Sequence, residues 1–103
     1  MKYEEIEELY NKLDTYSNSI GTGPEQDELL NKLTKLSELL DTFDSQSIEQ
    51  KSKELLGDLE NKELDTLIKD SIEEVNNISS SIENVTKIVS GLDKIINKLN
   101  RFS

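Results

Sequence analysis

The sequence contains no cysteine, histidine, tryptophan or alanine, and a single proline. Without cysteine there is no disulfide framework, no thiolate ligand for a metal and no thiol nucleophile. Without histidine, the commonest general base near neutral pH and the commonest metal ligand are both missing. Aromatic residues make up 5% and hydrophobic residues 33% of the 103 positions, too little for a thick core. Helices that each need only one apolar stripe fit this supply. No run approaches the roughly 18 consecutive apolar residues of a membrane span, and the amino terminus shows no basic-then-apolar leader. The expected compartment is therefore the cytoplasm. The remaining Asp, Glu, Lys, Tyr, Ser and Thr residues show no spacing that pairs a nucleophile with a base. An enzyme is not expected, and neither is a cofactor.

What is present is acidic charge and helical periodicity. The net charge is −10, and it is unevenly placed: residues 1–74 carry 20 acids against 8 bases, while residues 75–103 carry 2 acids against 4 bases. Nucleic acid and anionic membrane surfaces both demand cationic contacts, so neither is an expected partner. The expected partner is another protein, either a second copy of the chain in a homo-oligomer or a different protein. Glu4, Glu5, Glu7 and Glu8 crowd the first turns of the first helix, where the helix dipole favours negative charge. That role, rather than a metal site on Glu4 and Glu8, is the natural reading, since Mg²⁺ sites generally require a dedicated geometry.

Apolar spacing predicts four helices in one all-helical domain spanning residues 1–103, at about 3–19, 24–43, 47–58 and 63–101. Ile6, Leu9, Tyr10, Leu13, Tyr16 and Ile20 define the first. Gly21-Thr22-Gly23-Pro24 is the strongest punctuation in the chain, with glycines that free the backbone to exit one helix and a proline suited to the first turn of the next. The link is short, so the two helices should fold back as an antiparallel hairpin. Leu29, Leu30, Leu33, Leu36, Leu40 and Phe43 give the second helix its apolar face, and Ser47-Ile48-Glu49-Gln50 reads as a capping box opening the third. Ile48, Leu55, Leu56 and Leu59 supply the face of that third helix. Gly57, together with a slip of apolar phase between Leu59 and Leu64, predicts a kink or short break near 57–62. Acid-to-lysine pairs four apart, among them Glu8/Lys12, Glu28/Lys32 and Glu83/Lys87, support the helices by about 0.2–0.5 kcal/mol each.

From Leu64 to Phe102 apolar residues return every seven positions, in two rows: Ile68, Val75, Ile82, Val89 and Ile96, and Ile78, Val85, Leu92 and Leu99. A seven-residue repeat is what a coiled-coil seam requires. The expected fold is therefore a small all-α helical bundle, an N-terminal antiparallel hairpin plus a long C-terminal helix with coiled-coil character. The other face of that helix, with Asn76, Asn77, Ser79, Ser80, Ser81, Asn84 and Thr86, is small and nearly uncharged, so a partner can approach without burying charge. Ile68, Val75, Ile78, Ile82, Val85, Val89, Leu92, Ile96 and Leu99 are accordingly the expected partner interface. Gly91 within this stretch suggests a kink.

Two resemblances bear on function. Ser37-Glu38-Leu39-Leu40-Asp41, at the end of the glycine-turn hairpin, is similar to the S-Q-E-L-D signature of the small aspartyl-phosphate phosphatases of sporulation phosphorelays. It departs at the second and third positions and covers roughly residues 4–44; it implies contact between the second helix and a response regulator. In size, acidity and helicity the chain also resembles the small helical-hairpin partners of type VII secretion, without their W-x-G turn. The function expected from the residues is a non-enzymatic helical protein–protein interaction module, such as an assembly subunit, adaptor or small chaperone-like partner, using the 64–102 seam. The alternative is an acidic inhibitor from a phage or mobile element that binds a host protein, for instance as a nucleic-acid mimic. A small phosphorelay regulator is the third option.

Overall fold

The computed structural model describes residues 3–43, 47–77 and 85–102. Four helices build it: α1 (Tyr3–Ser19), α2 (Pro24–Thr42), α3 (Ile48–Asn77) and α4 (Val85–Leu99), with a short 3-10 turn at Asn100–Phe102. This is the expected all-α small bundle with an N-terminal antiparallel hairpin. The first two helices fall where the apolar spacing put them. Gly21 leaves α1 at φ 81, the left-handed exit that glycine makes cheaply, and Pro24 opens α2. Two cross-links set the register of this hairpin: the Gln26 side-chain amide donates to the Ser17 carbonyl at 2.8 Å, and the Tyr3 hydroxyl donates to the Leu40 carbonyl at 3.4 Å.

The helix expected over 63–101 is instead divided between α3 and α4, which pack side by side in opposite directions. Glu74 pairs with Lys87, Glu63 with Lys98, and Glu60 with Arg101, so residues move apart in sequence as the two helices run on from Asn77 and Val85. A straight helix from Leu64 to Phe102 would measure roughly 58 Å, whereas the longest dimension of the molecule is 39 Å. Gly91 sits inside an unbroken α4, opposite Ser71 of α3, and marks no kink.

Around the bundle the order is α1, α2, α4, α3. Lys12 of α1 donates to Asn76 Oδ1 of α3 at 2.8 Å, and Lys32 of α2 pairs with Asp93 of α4. With Lys87, these are three of the lysines expected to pair four residues away within their own helices; here each reaches across to a neighbouring helix. One core joins all four helices, with Ile6, Leu9, Leu29, Leu36, Leu64, Ile68, Ile95 and Leu99 fully buried.

The expected break near 57–62 lies at Gly57, whose φ of 77 and ψ of 169 interrupt α3. Its cause is legible in the burial. Ile48, Ser52 and Leu56 form one buried stripe before the break; Asn61, Leu64 and Ile68 form another after it. On a straight helix turning about 100° per residue, Ile48 and Leu64 would face directions about 160° apart. Only a change of direction lets both stripes enter the same core. Ser47 sits at the start of α3, where its carbonyl accepts the Lys51 amide at 3.0 Å, while the Gln50 side chain donates forward to Glu54. The buried hydroxyls of Ser17 and Ser52 are satisfied locally, donating to the carbonyls of Asp14 and Glu49. Buried Asn61, by contrast, has an Oδ1 with no hydrogen-bond partner among the described residues.

Candidate functional site

The folding-back of α4 on α3 decides where the expected interface residues lie. Ile68, Val85, Val89, Leu92, Ile96 and Leu99 are buried in the chain's own core, and Val75 is half-buried against it. Ile78 and Ile82 lie outside the described residues. The described part of the seam is thus covered within the chain and is not an open surface in this fold. Ile88 and Ile95, which the two heptad rows leave out, are buried as well. Their presence widens the stripe of α4 from two residues per seven to three. That is the pattern of a helix with neighbours on two sides, here α2 and α3, rather than of a two-helix coil.

The apolar side chains that do face outward are elsewhere. Leu55 is 57% exposed and Leu59 is 73% exposed, on either side of Gly57; Leu30, expected on the core face of α2, is also exposed. Leu55 and Leu59 were expected on the core face of α3, but the core takes Leu56 from this group. The reason is the same break: the stripe Ile48–Ser52–Leu56 runs i, i+4, i+8 and leaves Leu55 off to the side, and beyond Gly57 the inward positions begin at Asn61. Leu59 opens an apolar groove of about 410 Å³ that continues along α3 through Lys62, Glu63, Thr66 and Leu67, with Lys98 of α4 as its far wall. The Lys98–Glu63 ion pair inside it is loose, at 4.0 Å.

A second depression, wider and acidic, follows α1. Glu4, Glu8, Asn11 and Thr15 form one bank and Val75 and Asn76 of α3 the other, enclosing about 830 Å³. Glu4, Glu7 and Glu8 are all exposed there. Among the described residues no group of three acidic side chains is placed to hold a metal ion. Among the described residues, the titratable groups with shifted affinity are phenols. Burial, and after it the carboxylates of Glu7 and Asp41, raise the Tyr3 pKa above its usual 10.0, and burial raises that of Tyr16. Both are therefore neutral packing groups at physiological pH, and the Tyr3 hydroxyl is the one that reaches the Leu40 carbonyl. In the Ser37–Asp41 motif, Leu39 and Leu40 point into the core, while Glu38 and Asp41 are exposed.

No helix among the described residues is long and apolar enough to cross a membrane. Comparison with known protein families, with curated proteins and with solved structures finds no match for this chain.

Proposed function

We propose that this chain is a non-enzymatic helical protein–protein interaction module, an assembly subunit or adaptor of the cytoplasm, and that it presents its partner with the leucine-bearing side of α3. The observation that carries this reading is the exposure of Leu55 and Leu59 in a chain poor in apolar residues. With so few large side chains available for burial, two leucines left in water, Leu59 of them lining the groove, are a cost to solubility that a contact would remove. The described part of the 64–102 seam contributes indirectly, through the core against which α3 packs.

The second reading, an acidic inhibitor that binds a basic surface of another protein, is supported by the depression along α1 and its exposed Glu4, Glu7 and Glu8. The two readings separate experimentally. A photo-crosslinking residue is placed at Leu59 in one variant and at Glu8 in another, and each is irradiated in the native cell. Adducts to protein from position 59 alone support the interaction module. Adducts from position 8 alone, on a complex that weakens steeply between low and high salt, overturn it in favour of the inhibitor.

A further inference from the structure

We propose that the part of α3 before the break, Ile48–Leu56, is a hinged flap that opens from the bundle about Gly57 while the other helices stay folded. α3 is held unevenly along its length. Among the described residues, the ion pairs and side-chain hydrogen bonds that tie α3 to other helices lie beyond the break: Glu60 with Arg101, Glu63 with Lys98, Glu74 with Lys87 and Asn76 with Lys12. Before the break the side-chain hydrogen bonds close within the segment, Ser52 to the Glu49 carbonyl and Gln50 to Glu54. Only Ile48 and Leu56 there are both apolar and buried, whereas α4 buries seven aliphatic side chains over its 15 residues. A segment with so few buried apolar contacts opens at a lower free energy than the whole molecule unfolds.

Two residues at the break favour this motion. Gly57, at φ 77 and ψ 169, has already left helical geometry, and without a Cβ it turns over a wider range of backbone angles than other residues. Asn61 is 6% exposed, and its Oδ1 has no hydrogen-bond partner among the described residues. Helical side chains lean toward the N-terminus of their helix, which carries the Asn61 amide back toward the break, one turn earlier. A buried amide oxygen without a partner weakens the closed state, and opening lets water supply the missing bond.

The closed flap hides Ile48 and Leu56; the open flap adds both to the exposed Leu55 and Leu59. The position of the flap therefore sets how much apolar surface α3 presents, whatever it meets.

Native-state hydrogen exchange of the intact chain, followed amide by amide by NMR from zero to sub-denaturing urea, tests the proposal. The amides of 52–56 should be at least about tenfold less protected than those of 89–99 in α4, with a weaker urea dependence because little surface is exposed. The amides of 64–76 should follow α4. Residues 52–56 that match α4 in protection and urea dependence overturn the proposal. So does weak protection that continues past Gly57 through 64–76. Asn61→Leu removes the unpartnered oxygen and should raise protection at 52–56 and in α4 by the same factor, at least about fivefold, since water reaches Asn61 in the open state as it does in the unfolded one. A rise confined to α4 means that opening leaves Asn61 buried, and no rise at either place means that its oxygen does not weaken the closed state; each overturns the hinge as drawn.

Discussion

Helices α3 and α4 form one hairpin yet are held in place by different means. α4 has 15 residues and buries seven, all aliphatic: Val85, Ile88, Val89, Leu92, Ile95, Ile96 and Leu99. α3 is twice as long and buries six, two of which are the polar Ser52 and Asn61. α4 is therefore fixed by area removed from water. α3 is fixed by direction, because its two short stripes reach the core only through the break at Gly57. Within this pair the apolar residues are unevenly divided: α4 buries seven, while α3, twice as long, buries four and leaves Leu55 and Leu59 in water.

The comparison can be broken first where the apolar area is concentrated. Leu92→Ala should cost about 2–5 kcal/mol of stability in urea unfolding, the usual range for a buried leucine, since Leu92 is 1% exposed. Leu59→Ala in α3 should change stability by less than about 0.5 kcal/mol. Equal costs would mean that the two helices do not divide the work in this way.

Next comes the break. Gly57→Ala places a side chain at φ 77 and ψ 169, an extended positive-φ conformation that essentially only glycine adopts, with nothing within 4 Å of the new Cβ. Its cost, about 1–3 kcal/mol, is then purely backbone conformation. A neutral result would show that α3 can run straight and that direction is not what holds it.

Gly91→Ala should act in the opposite sense and more weakly. Gly91 is inside α4, and a Cβ there would lie 3.5 Å from Ser71 Oγ, an ordinary contact. Removing a helix-interior glycine should therefore stabilise the protein by about 0.5–1 kcal/mol. A loss instead would mean that α3 and α4 are closed too tightly for a methyl group.

The smallest effect is on pH dependence. The raised pKa values of Tyr3 and Tyr16 mean that the folded state holds the phenolic protons more tightly than the unfolded chain. Their contribution is fully present below pH 10 and is lost as pH rises through the folded-state values. Stability of the wild type should thus fall more steeply above about pH 10 than that of Tyr3→Phe/Tyr16→Phe, with lysine titration common to both. Parallel pH curves would show that the phenols do not sense folding.

Much of this fold can be read from particular residues. The α1–α2 hairpin follows from Gly21 and Pro24, whose backbone preferences act locally and need no tertiary context. The break in α3 was signalled by the slip of phase around Gly57. The destination of the heptad seam was not legible in the same way, because a seven-residue repeat states that a helix must be covered, not by what. Ile88 and Ile95 were the signal that favoured cover on two sides. The exposed leucines were hidden for a related reason. Leu55, Leu56 and Leu59 all fit a helical stripe with Ile48, and the spacing alone does not say which of them the core accepts.

The sequence by itself therefore determined that this protein is helical, where its first hairpin turns and that its C-terminal third must be buried against something. These are local consequences of side-chain period, glycine and proline. Only the tertiary structure decided that the buried partner of α4 is the chain's own α2 and α3, and that Leu59 faces water beside Lys62 and Glu63. Both depend on where a helix stands relative to its neighbours, which side-chain period alone does not encode.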